Sequence, residues 1–118
     1  MSNLFRAELL TSLGGDLELL REMVELFLSE VPDQMVRIQS AVSAGSSAEL
    51  LEAAHSFKGS VSNYTNGPAY EAARTLEFMG RSGDLSNAAQ MVLRLEDEIA
   101  RLRAAMQDYL NEARGRQV

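Results

Sequence analysis

One histidine and one lysine occur in the 118 residues, three positions apart in Ala54-His55-Ser56-Phe57-Lys58-Gly59-Ser60. On a helix, at about 100° per residue, positions i and i+3 share a face, so an imidazole and an ammonium would stand side by side. Imidazole is a good nucleophile near neutral pH, its unperturbed pKa being ~6.5, and histidine is among the side chains that form covalent intermediates. An anionic group carried on His55, a phosphoryl group above all, would have its charge offset by Lys58. Gly59 would leave the helix surface bare beside the imidazole, where another protein's backbone could come close. Glycine in a helix interior costs ~1 kcal/mol relative to alanine, so its presence there asks for a reason. The same residues also admit a plainer account: a surface histidine with no role, a solubilising lysine and a local irregularity at the glycine.

The elements that would position these residues are helical throughout. A short amphipathic segment runs from Asn3 to Leu13, and Gly14-Gly15 can close it because glycine tolerates the left-handed conformation. Asp16 is a plausible N-cap. From there apolar residues recur in steps of three or four, at Leu20, Val24, Phe27, Val31, Met35, Ile38 and Val42, the period of a helix buried on one stripe. Pro32 predicts a kink, but the phase continues across it, so one bent helix to about Ala44 is expected. Gly45 fits a stop, and Ser46-Ser47-Ala48-Glu49 reads as a capping box opening a third helix. On that helix Leu50, Ala53, Ala54, Phe57, Val61 and Tyr64 fall within about 60° of a common direction, while His55 projects about 140° from it and Gly59 about 180°. His55 is therefore expected to be exposed.

Asn66-Gly67-Pro68 is turn chemistry with Pro68 at the first turn of a fourth helix. That helix carries Ala69, Ala72, Ala73, Leu76 and Met79 inward and ends around Gly80–Gly83. Asp84 can cap a last helix, with Leu85, Val92, Leu95, Ile99, Leu102, Met106 and Tyr109 on one stripe and a frayed tail from Arg114. The fold expected is all-α: an antiparallel four-helix bundle with a short N-terminal capping helix, one domain over 1–118.

Composition narrows the function classes. With no cysteine, disulfides and cysteine-type zinc sites are excluded, and a single histidine cannot supply a multi-histidine metal site. The longest apolar runs fall far short of the ~20 residues that span a bilayer, and no basic start followed by an apolar block marks a signal peptide. A cytoplasmic location with no membrane partner is expected. The net charge of −6 is uneven: residues 1–50 hold eight acids against three bases, and 51–118 nine against eight. Nucleic acid, which needs a basic footprint, is an unsuitable partner.

The stretch from Ala54 to Ser60 resembles the signature of histidine-containing phosphotransfer (HPt) domains, roughly A-H-x-L-K-G-S. Tyr64 stands where that family often has a large apolar residue, and Leu76-Glu77 falls in register with its common Leu-Glu on the following helix. Gly14-Gly15-Asp16 and the Phe27 to Pro32 region also resemble it, so the likeness spans about residues 4–105. One departure is Thr65, where the family usually has glycine; Gly67 comes two residues later, and the turn is expected to be remodelled.

The resemblance implies a phosphorelay intermediate, taking a phosphoryl group from a receiver-domain aspartate and giving it to another receiver. His55 would be the phosphoacceptor, Lys58 the charge partner and Gly59 the clearance for docking. It implies a carrier rather than an enzyme, with no ATP site and no cofactor of its own, the divalent metal being supplied by the receiver. Partners would be response-regulator receiver domains, with a hybrid sensor histidine kinase as a further one, and the state a monomer. The alternatives are a helical adaptor without chemistry and the phosphoacceptor domain of a larger histidine kinase. A kinase dimerisation domain fits poorly, since its histidine is normally followed by an acid and soon a proline.

Overall fold

The structure, a computed structural model, describes residues 5, 6 and 8–117, the side chains of 116 and 117 excepted. Its helices are α1 (Glu8–Ser12), α2 (Leu17–Ser43), α3 (Ser47–Val61), α4 (Pro68–Ser82) and α5 (Ala88–Gln117), and no strand occurs among the described residues. From α2 onward each helix packs on the next, and α5 closes against α2. The short connections make successive helices antiparallel. No helix of the described residues is long and apolar enough to cross a membrane.

Local chemistry sets most boundaries. Gly14 and Gly15, with φ of 70° and 80°, end α1 in the left-handed region. Asp16 then caps α2, accepting from the Leu19 amide at 3.0 Å, and Ser46 caps α3 through the Glu49 amide at 3.2 Å. α2 runs through Pro32 as one helix. Pro32 is exposed, so its ring meets no core neighbour, and only one intrahelical bond is lost there.

The apolar stripes meet in one core. All six residues expected on the core face, Leu50, Ala53, Ala54, Phe57, Val61 and Tyr64, are buried, the first five on α3 and Tyr64 in the turn beyond its end. Phe27 of α2 lies with its ring centroid 4.8 Å from Tyr64 and 6.3 Å from Phe57, and the Tyr64 hydroxyl donates to the Met23 carbonyl at 3.1 Å. This aromatic group locks α3 onto α2; removing a buried phenylalanine from such a core costs about 3–5 kcal/mol.

Several expectations need correction. The capping helix is shorter than the stretch from Asn3 to Leu13, covering Glu8–Ser12; residues 1–4 and 7 lie outside the described residues. The chain before it still seals one end of the bundle: the Arg6 amide donates to the Tyr64 carbonyl at 2.7 Å, and Phe5 packs on Tyr109 at 5.3 Å. Asp84 does not cap α5. Its carboxylate accepts from the Ser86 amide at 3.1 Å and the Ser86 hydroxyl at 2.7 Å, forming a side-chain turn that delays the helix to Ala88. At the other end α5 continues past Arg114 to Gln117, with Ala113 still buried on its core face. Ala41 takes the core position on α2 beside a half-buried Val42, and Met79 on α4 is half-buried while Glu77 and Gly80 turn inward.

The turn after α3 is built around Thr65. Its side chain is buried, its hydroxyl accepts from the Gly67 amide at 2.9 Å, and no non-glycine residue there has positive φ. A turn of negative φ closed by a hydroxyl stands where the family usually has glycine, and Pro68 then opens α4.

Candidate functional site

Ala54 and Phe57, on either side of His55, are wholly buried and fix the rotation of α3. His55 is turned outward as its spacing predicts, with 70% of its side chain exposed. Gly59, one turn on, is exposed too, and a Cβ built there would meet nothing within 4 Å. Lys58, expected beside His55, has a partner of its own. It is three-quarters buried and bonded across the helix interface to Glu77 Oε1 at 2.8 Å.

Glu77 of α4 ties the site together. Only 5% of its side chain is exposed, and while Oε1 accepts from Lys58, Oε2 lies 2.5 Å from His55 Nδ1. The hydrogen bond from Lys58 holds its carboxyl below the usual range, against an opposing push from burial and with further help from His55. The group is therefore a carboxylate at neutral pH and can only accept. His55 Nδ1 must therefore be the donor in that bond, and in the neutral ring the lone pair is then on Nε2, the nitrogen that Glu77 does not hold. Arg81, one turn after Glu77, brings its Nη2 within 4.0 Å of the same Oε2, so a second cation borders the carboxylate.

His55, Lys58 and Gly59 thus share one face of α3, as their spacing indicates, and α4 completes the site. Glu77 stands in the sequence only as part of a Leu-Glu pair, and no motif marks Arg81. The available signal was an acid at the edge of the apolar stripe of α4, with arginine four residues on.

The chain's place among known proteins follows from a family comparison. Residues 22–105 match the model of the Hpt domain. The chain belongs to the Hpt domain family. The match includes the His55, Lys58, Gly59 and Glu77 positions. Two solved structures share the fold. One is histidine-containing phosphotransfer protein B (HptB) from Pseudomonas aeruginosa PAO1, 23% identical, with 95% of this chain and 98% of that one covered and a TM-score of 0.80. The other is the HPT domain of an Hpt sensor hybrid histidine kinase from Shewanella, 22% identical, with 88% and 90% covered and a TM-score of 0.67. No curated protein matches the sequence significantly. As an Hpt domain the chain has a histidine phosphotransfer role in a phosphorelay, with receiver domains or hybrid kinases as its kind of partner. Family membership favours this role over the passive adaptor.

Proposed function

We propose that His55 Nε2 is the phosphoacceptor of this Hpt domain, and the observation that carries the reading is the bond between Glu77 and His55 Nδ1. The Nε2 lone pair attacks the phosphorus of a receiver's aspartyl phosphate. A nitrogen–phosphorus bond forms, the phosphorus–oxygen bond to the aspartate breaks, and that bond's electron pair leaves with the carboxylate. No proton moves: Nδ1 keeps its hydrogen, the ring becomes a phosphorylated imidazolium, and the Glu77 carboxylate beside it stabilises the developing positive charge. Lys58 and Arg81 supply cations near the incoming phosphoryl oxygens, and Gly59 gives the receiver access. Return of the group to a second receiver is the same step reversed.

The domain, residues 1–118, acts on this reading as a cytoplasmic monomeric carrier, without a nucleotide site and without nucleic-acid or membrane partners. Both oxygens of Glu77 are already engaged by Lys58 and His55, so the divalent metal of the reaction would come with the receiver and not be held by this chain. The test is incubation with phosphorylated receiver domains followed by intact mass. Wild type should gain the mass of one phosphoryl group in an acid-labile, base-stable form, and His55→Gln should gain none while its circular dichroism shows the same helical fold. Labelling that persists in His55→Gln would overturn the assignment.

A further inference from the structure

We infer that Gly80 is a positioning residue for His55: its missing side chain lets α4 approach α3 closely enough for Glu77 to hold Nδ1. Gly80 is buried within α4, and its backbone is not in the left-handed region, so conformation gives no reason for a glycine there. Space does. A Cβ at Gly80 would lie 2.5 Å from the Leu51 nitrogen, 2.8 Å from the Leu51 Cα and 2.9 Å from the Ser47 carbonyl oxygen. All three are backbone atoms of α3, so no side-chain rotation could relieve the contact. Gly59, by contrast, faces open space.

The contact stands in register with the site. Leu51 is four residues before His55 on α3, and Gly80 three after Glu77 on α4, so each member lies about one turn from a member of the His55–Glu77 pair. To bring an alanine Cβ from 2.5 Å out to ordinary contact at 3.4 Å, the helices must part there by about 0.9 Å. Only 5% of the Glu77 side chain is exposed, so the packing around it leaves the carboxylate little room to follow α3 as α4 withdraws. A His55–Glu77 bond of 2.5 Å lengthened by that amount reaches about 3.4 Å, outside the ~2.7–3.2 Å of a sound N–H···O bond, and is much weakened. The imidazole then loses much of the hold that keeps its proton on Nδ1 and its lone pair on Nε2. A purely structural glycine would leave the tautomer alone.

The rate arm of the test rests on the proposed phosphoacceptor, whereas the tautomer arm does not. In wild type, ¹⁵N spectra of the single histidine should show the Nδ1–H form. Gly80→Ala should remain helical and shift His55 towards the Nε2–H form. Labelling by phosphoramidate, which needs no protein docking, should slow by up to ~100-fold, the scale set by a misplacement near 1 Å. In a Glu77→Ala background the Gly80 substitution should slow labelling no further, because the two changes act through one bond. An unchanged tautomer in folded Gly80→Ala, or equal slowing in both backgrounds, overturns the inference. If Gly80→Ala does not fold, Glu77→Asp opens a comparable gap by one methylene without touching Leu51. A shifted tautomer there supports the inference, and a wild-type tautomer overturns it. Failure of wild type to label would refute the phosphoacceptor assignment and leave the tautomer result to judge Gly80.

Discussion

Lys58 reaches across the α3–α4 interface to Glu77 at 2.8 Å, and the same carboxylate holds His55 by its other oxygen. The lysine therefore has a structural partner before any phosphoryl group arrives. Lys58→Ala should lower stability by about 1–3 kcal/mol, the range for leaving a buried acceptor short of its donor. It should also slow transfer and shorten the life of the phosphorylated form. Urea melts and decay of the labelled protein check both. Wild-type values in each would reduce Lys58 to a solvated charge.

Glu77 predicts an acid limb in the stability profile. Its folded-state pKa is lowered from 4.5, chiefly by the Lys58 hydrogen bond. A lowered acid contributes stability that is complete above the unfolded value and fades as pH falls through the folded one. The stability of wild type over Glu77→Gln should thus be greatest near neutrality and shrink below about pH 4.5. Comparing the two proteins cancels the other lowered acids, Glu8 and Asp84. A difference that stays constant from pH 7 to pH 3 would show that the carboxylate's charge contributes nothing.

Gly59 separates folding from transfer. Open space surrounds its would-be Cβ, so Gly59→Ala should stabilise α3 by up to ~1 kcal/mol. Gly59→Gln should also fold but fill the space beside the imidazole. Transfer from a receiver should then drop by up to ~100-fold, while a small phosphodonor still labels His55 at the wild-type rate. Unimpaired transfer would mean the receiver docks elsewhere.

Thr65 makes its turn by a hydroxyl rather than by a left-handed backbone. Thr65→Val, which keeps the shape and removes the acceptor, should cost about 1 kcal/mol. Thr65→Gly, though it restores the residue usual in the family, should destabilise as well, since it loses the same bond and adds backbone freedom. Denaturant melts decide this, and a glycine variant as stable as wild type would contradict it.

What could be read from the sequence divides along a physical line. The helices of the core, the exposure of His55 and the caps at Asp16 and Ser46 follow from periodicity and local hydrogen bonding, which a single chain segment carries within itself. The His55–Glu77–Lys58 constellation does not. It depends on the distance between two helices, and that distance depends on Gly80, which in the sequence reads only as a place for α4 to stop. The late start of α5 was missed for a related reason: Asp84 suits a cap and a side-chain turn equally well, and the hydroxyl of Ser86 decides between them. The helical run of α5 beyond Arg114 follows Ala113, too small a residue to mark a core position by itself.

The bare surface at Gly59 also bears on selectivity. A glycine presents backbone alone, and backbone is common to every protein, so on the proposed function this position would admit receivers without telling them apart. Its neighbours, Ser56 on the helix and Ser62 and Asn63 in the turn after it, are short and polar and add little shape. Discrimination between a cognate receiver and its paralogues has to arise from side chains with size and charge farther from the imidazole. Exposed Leu26 and Glu30 on α2, across the groove from Ser60 and Asn63, have that character. If receivers dock over this groove, as the proposed function implies, exchanging the two residues between Hpt domains should redirect the choice of receiver and leave labelling of His55 by a small phosphodonor unchanged.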